Sequence, residues 1–303
     1  MRSMTSRHHR IPIRETWIIV GLVCSAAALG GLWALDWPLA QVKVAATFGT
    51  PAQGRMITGV ALAAGDGLVK AVDDGELAFV FDGKTTPSGL PSTLGAFAVV
   101  EQQNDLAGVY AHMAAGSVSN YLTVVKRDSI LGKVGSSGWS EGPGLLFELF
   151  DRKRGDWVNP LLVLPPAPDD KAPVIRSVAL SSGDKTYVLG ETSSIPQATY
   201  RISADIVDPS DAPWTAGPPA PYTIRLSIDG TEIVRRVFDV AVAANGELGF
   251  FTQDTSSATG LRTPDGRYLL GERLLARGRS TIELSAEDAN GNRRSVSWSV
   301  TIR

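Results

Sequence analysis

The sequence predicts an all-β protein preceded by one N-terminal hydrophobic helix. Three observations carry this reading. Gly and Pro are plentiful, at 31 and 18 of 303 residues, and both punctuate short elements rather than fill long helices. The apolar stretches are short and rich in Val, Ile, Thr and aromatic residues, the composition of half-buried strands. The single long uncharged run, residues 17–35, stands alone near the N-terminus behind Arg2, Arg7, Arg10 and Arg14.

At helical rise, residues 17–35 extend about 28 Å, close to the hydrocarbon thickness of a bilayer. The basic flank precedes the run, which places the N-terminus in the cytoplasm and the body outside. Two readings stay open. Residues 1–40 are a cytoplasmic stub with an uncleaved signal-anchor, or a signal peptide cut near Ala26-Ala27-Ala28. A buried core helix fits poorly at this isolated position. Cys24 is the only cysteine. It lies inside the run behind Val23, where a lipoprotein signal needs a small residue, so it reads as an apolar membrane residue. The exported body then has no cysteine, which a domain of this size tolerates in an oxidising compartment. With 29 basic and 31 acidic residues, the chain offers no basic field to a nucleic acid.

Residues 42–164 read as short strands between glycine turns. Residues 67–72 lead into Asp73-Asp74-Gly75, a turn signal, and residues 76–81 return as the second arm of a hairpin. Residues 96–101 and 121–126 are further strands, and residues 82–94 form a loop rich in Gly, Pro, Ser and Thr. Residues 165–173 form a stiff, solvated Pro-rich linker, since proline donates no ladder hydrogen bond. Residues 174–303 follow as antiparallel strands. Residues 222–228 and 231–238 pair across Asp229-Gly230, and residues 281–286 and 294–302 pair across the Asp288-Ala289-Asn290-Gly291-Asn292 turn. Several such strands in this length predict an immunoglobulin-like β-sandwich, without the cysteine pattern of antibody domains. Nothing in this block forms a catalytic constellation, and it reads as a spacer or adhesion module.

The first block also carries an ordered set of motifs. Gly59 precedes an apolar strand and Lys70-Ala71-Val72-Asp73-Asp74-Gly75. Tyr110-Ala111-His112-Met113 comes next, then a glycine-rich approach over residues 132–138 into Gly142-Pro143-Gly144-Leu145-Leu146-Phe147-Glu148, and finally Val158-Asn159-Pro160. In this order, residues 48–160 resemble the lysostaphin-type, LytM-like zinc endopeptidases that cut peptide cross-links in bacterial cell walls. The resemblance implies a LytM-like (duplicated hybrid motif) β-sheet domain. It also implies a zinc ion held by a His-x-Gly-x-Asp segment and the second His of a His-Leu-His segment, with two further histidines acting on water and the oxyanion.

On this alignment Ile57, Ala61 and Leu146 occupy the three ligand positions, and Gly144 replaces one catalytic histidine. A catalytic zinc needs three protein donors and one open position, and Ile, Ala and Leu carry no lone pairs. Of three histidines, His8 and His9 precede the apolar run. His112 is therefore the only one in the body, and carboxylates around one imidazole suit zinc poorly. The expectation is no bound zinc, no other cofactor and no catalytic residue, with His112 vestigial. Tyr110, His112, Trp139, Gly144, Leu146 and Glu148 are the candidates for lining the old groove. His112 reads either as a polar group on the groove floor or as a structural histidine held by a carbonyl. Glu148 reads as structural rather than as a base, and Trp139 as a partner anchor or as packing for its own loop.

These readings converge on a catalytically inactive LytM-like module in the bacterial envelope. It would be extracytoplasmic, held to the inner membrane by residues 17–35 if these are uncleaved, and would bind an envelope protein or peptidoglycan. The alternatives are an active zinc endopeptidase with atypical ligands and a peptidoglycan binder that does not cut.

Overall fold

The computed structural model describes residues 35–303 apart from 53–54, 85–90, 213–217, 245–246, 253–255 and 258–259. The membrane run expected over residues 17–35 lies outside this range except for Leu35. Among the described residues no helix is long and apolar enough to cross a membrane. Residues 35–303 form one compact all-β unit.

The first block begins earlier than composition suggested. Leu35 and Leu39 are buried in its core beside Val60, Leu62 and Phe147. The Leu35 N–H donates to the Val163 carbonyl at 3.3 Å and the Asp36 N–H to that of Val72 at 3.2 Å. The chain leaving the apolar run is thus packed onto the body at once.

Five antiparallel strands build the main sheet of this block. In pairing order they are Gly75–Phe81, Ala96–Gln102, Leu106–Met113, Gly144–Asp151 and Gly59–Ala63. Strand alternation decides which side chains reach the core. Leu145, Phe147 and Leu149 face inward, joined by Tyr110 from the next strand, whose ring lies 5.1 Å from that of Phe147. Leu146 and Glu148 occupy the opposite face.

The hairpin expected between residues 67–72 and 76–81 does not form. Strand Leu68–Lys70 pairs instead with Ile130–Lys133, while Gly75–Phe81 pairs with Ala96–Gln102 and Val124–Val125. The acidic turn between the two is held sideways. Asp73 and Asp74 form ion pairs with Arg127 and Lys126 at 2.8 and 2.9 Å, and the Arg127 N–H donates to Asp74 at 2.8 Å. The Ala71 N–H donates to the Ser129 carbonyl at 2.9 Å. This basic loop occupies the turn, and the expected strand over residues 121–126 shrinks to Val124–Val125.

The second block is a two-sheet sandwich. Strands Lys185–Val188, Val174–Ser182, Ala198–Val207 and Tyr268–Leu275 form one sheet. The other contains both predicted hairpins, Thr223–Ile228 with Thr231–Ala244 and Gly278–Glu287 with Arg293–Ile302. Asp229 and Gly230 have φ of 50° and 79°, the two positive values a tight hairpin turn requires. Ile202, Leu226, Tyr268 and Leu284 fill the space between the sheets.

The two blocks are not beads on a string. Strand Asp156–Val158 pairs on one side with Gly144–Asp151 and on the other with Thr231–Ala244. Among the described residues fifteen strands thereby join one sheet that runs through both blocks. Phe48, from the first block, is buried in the core of the second, 5.5 Å from the Phe250 ring. The Asn159 side-chain amide donates to the Phe238 carbonyl at 2.7 Å.

Candidate functional site

The three positions that the motif alignment assigns to zinc ligands converge. Leu146 stands directly opposite Ala61 on one neighbouring strand and Ala111 on the other. Such cross-strand pairs hold their Cβ atoms about 5 Å apart, a spacing from which donors could share one ion. Ile57 joins them from the preceding loop. Ile57, Ala61, Leu146, Ala46, Ala52 and Ala111 form one buried apolar cluster, capped by Leu94 and Phe97. The residues present do not fit zinc, because the converging side chains hold only carbon and hydrogen. At Gly144 the neighbouring backbone passes close. A Cβ there would lie 2.4 Å from the Leu62 carbonyl oxygen, so no side chain enters without a strand shift.

Two polar groups, His112 and Glu148, border the cluster. His112 is 4 % exposed and has φ of 66°, a strained value for a residue with a Cβ. It sits in a bulge, where Ala96 pairs with Met113 but Ala98 pairs with Tyr110. The extra residue re-aims a side chain. Ser137 pins this bulge. Its hydroxyl donates to the Met113 carbonyl at 2.6 Å and accepts from the Ala96 N–H at 2.8 Å. Its own carbonyl lies 2.9 Å from His112 Nδ1, which assigns the proton to Nδ1 because a carbonyl only accepts. Burial lowers the His112 pKa, and the Arg55 charge adds to that effect. The ring is neutral at pH 7.

Glu148 is 5 % exposed and accepts a hydrogen bond from the Thr58 hydroxyl at 2.5 Å. Burial raises its pKa, against the opposing pull of Thr58 and Arg55. Arg55 therefore acts on both His112 and Glu148. Trp139 is 53 % exposed on a loop tied to residue 93 through its backbone N–H. Tyr110, a groove candidate by motif, is placed elsewhere. It is fully buried on the core face, and its hydroxyl accepts from the Val72 N–H at 3.0 Å. The motif marks the strand, while alternation turns this ring inward.

Motif reading also missed an aromatic ridge on the cluster's own face. Phe79 and Phe81 lie 5.5 and 5.8 Å from the Phe97 ring, and Phe79 is 52 % exposed. The signal was available, since Phe79 and Phe81 stand two apart on one strand and so share a face. Among the described residues, the only close group of three metal-capable side chains, Asp169, Asp208 and Asp288, includes none of these positions.

The sheet thus brings Ile57, Ala61 and Leu146, the positions that the motif alignment assigns to ligands, together on one face. Residues 55–160 match the family model described as Peptidase family M23. A second family model, without a functional description, matches residues 172–303. Among solved structures, the chain is similar to one from the SpoIIQ–SpoIIIAH pore-forming complex, with 22 % identity over 44 % of this chain and 92 % of that one and a TM-score of 0.37. The catalytic domain of the prophage-encoded M23 protein EnpA from Enterococcus faecalis is 29 % identical over 43 % of this chain and 96 % of its own, with a TM-score of 0.34. Lysostaphin from Staphylococcus simulans is 15 % identical over 86 % of this chain and 94 % of its own, with a TM-score of 0.33. No curated protein matches the chain.

Proposed function

We propose that this protein is a catalytically inactive member of the cell-wall peptidase fold, acting by binding on the outer side of a bacterial inner membrane. Residues 17–35 would hold it there, the sandwich would fix the orientation of the peptidase-like block, and its partner would be an envelope protein engaged in wall remodelling. The observation that carries the reading is the apolar cluster of Ile57, Ala61 and Leu146, which supplies no donor where a metal would sit. Hydrolysis of a peptide bond without the metal would need another way to activate water. The buried His112 and Glu148 are each held by a hydrogen bond, to the Ser137 carbonyl and from the Thr58 hydroxyl.

The same replacement changes what the face can bind. A polar, wet pocket becomes an apolar surface bordered by Phe79, Phe97 and Trp139, suited to a hydrophobic side chain of a protein partner. The test is incubation of the purified full-length protein with cell-wall sacculi, with and without added zinc. No release of muropeptides is expected in either case. One zinc per chain together with release that a chelator abolishes would overturn the proposal. Retention on sacculi without cutting would redirect the partner from protein to peptidoglycan.

A further inference from the structure

Three carboxylates from distant parts of the chain meet beside the linker. Asp169 lies in the linker itself, Asp208 follows strand Ala198–Val207, and Asp288 follows strand Gly278–Glu287. One oxygen from each lies within 4.8 Å of the other two. They border a cavity of about 630 Å³ that Lys43, Thr47 and Asn290 also line.

The cluster is partly built and partly unsatisfied. Asp288, 3 % exposed, accepts from the backbone N–H groups of Asn290 and Asn292 and from the Asn292 side chain, each at 2.8 Å. Asp169 accepts from the Lys171 N–H at 2.9 Å. Asp208 is 4 % exposed, and its buried Oδ1 has no hydrogen-bond partner among the described residues. The Lys171 ammonium is taken by Asp211, and among the described residues no basic side chain pairs with any of the three. A buried carboxylate without donors beside two more lacks the counter-charge that such a position demands.

The arrangement is also held in place from outside. The Asn290 side chain donates to the Ala167 carbonyl at 2.7 Å, and that of Asn292 to the Asp169 carbonyl at 3.1 Å. The turn after Gly278–Glu287 thereby draws the linker over Asp208.

We propose that Asp169, Asp208 and Asp288 bind one calcium ion, which fastens the linker to the sandwich. The donors are all oxygen, which excludes a preference for soft or borderline metals. Calcium accepts irregular carboxylate sets, whereas magnesium demands near-ideal octahedral geometry and keeps its waters. The linker leads directly from the peptidase-like block, so an ion here would stiffen the connection between the two blocks.

The test is calorimetric titration and thermal unfolding of the full-length protein in detergent, with calcium chloride and with magnesium chloride. One calcium per chain is expected, with a rise in Tm of about 5 °C at a hundredfold excess over Kd and a weaker response to magnesium. Asp208→Asn should fold without the ion and lose at least tenfold in calcium affinity. Asp169→Asn, on the exposed linker, should show the same loss in a variant that leaves the sandwich core untouched. No calcium response up to roughly 10 mM, well above the range of extracellular calcium modules, would overturn the proposal. So would a wild-type response in Asp169→Asn.

Discussion

The protein contains two places where three side chains converge as metal ligands do, and they are opposites. On the face of the first block, Ile57, Ala61 and Leu146, which the motif alignment places at ligand positions, meet with no donor atoms. Beside the linker, Asp169, Asp208 and Asp288 bring donors together where no motif announced a site. Burial, with Asp288 and Asp169 adding to it, pushes the Asp208 carboxyl up to about 8, whereas the first cluster carries no charge to bury. The contrast separates two things a sequence motif merges. Strand order and register preserve where groups meet, and side-chain identity alone decides whether the meeting point is oily or ionic.

The largest effects should come from exchanging these characters. Leu146→Asp puts a carboxylate among Ile57, Ala61 and Ala111 with no partner, and should cost about 3 kcal/mol or more in denaturant unfolding. A wild-type midpoint would show that the cluster is wetter than its packing indicates. At the second place, Asn292→Ala removes the amide that joins Asp169 to Asp288 and should cost about 1–2 kcal/mol. It should also increase proteolytic cutting within residues 165–173. Asp208→Asn has the opposite sign. In the absence of calcium and above pH 8, where the wild-type carboxyl is charged, it should equal or exceed wild-type stability, because it relieves like-charge repulsion. A clear loss would mean that the Asp208 charge is compensated by a group other than a cation.

The smallest effect concerns pH. The Glu148 carboxyl is raised above its ordinary 4.5 by burial, so the folded chain keeps this proton after the unfolded chain has released it. Its contribution is present below 4.5 and is lost as pH rises through the raised value. Glu148→Gln should remove that decline, changing stability by about 1 kcal/mol or less near pH 5. His112 works the other way. Its pKa is lowered from 6.5 by burial, so stability is lost as pH falls below 6.5 through the lowered value. In His112→Gln this acid-side loss should vanish while that of other groups remains, as pH-dependent unfolding would read directly.

Much of the fold was legible because it rests on local chemistry. Asp229-Gly230 specifies a hairpin whatever surrounds it, and the motif order from Gly59 to Pro160 leads to the sheet that is observed. The failures were non-local. The 67–72 and 76–81 strands looked like a hairpin because Asp73-Asp74-Gly75 is a good turn, yet Arg127 and Lys126 claim its carboxylates from far along the chain. Tyr110 was assigned to the groove by its motif, although its pairing with Phe147 places it inside. The burial of Phe48 in the sandwich and the pairing of Asp156–Val158 with Thr231–Ala244 leave no local trace, so the join between the blocks was invisible. For the same reason the acidic cluster could not be seen. Its three residues become neighbours only when the sandwich closes and the linker folds over it.

We propose that the positions of Ile57, Ala61 and Leu146 keep the spacing of a zinc site and lack only its donors. Zinc titration of two full-length proteins tests it, both carrying Asp208→Asn to remove the acidic cluster from the measurement. One is otherwise wild type and the other adds Ile57→His, Ala61→Asp and Leu146→His. The account predicts no stoichiometric zinc in the first. In the second it predicts one tightly bound zinc with a rise in Tm on addition of the metal. Stoichiometric zinc in the first protein would contradict it, and so would a folded second protein that takes up none.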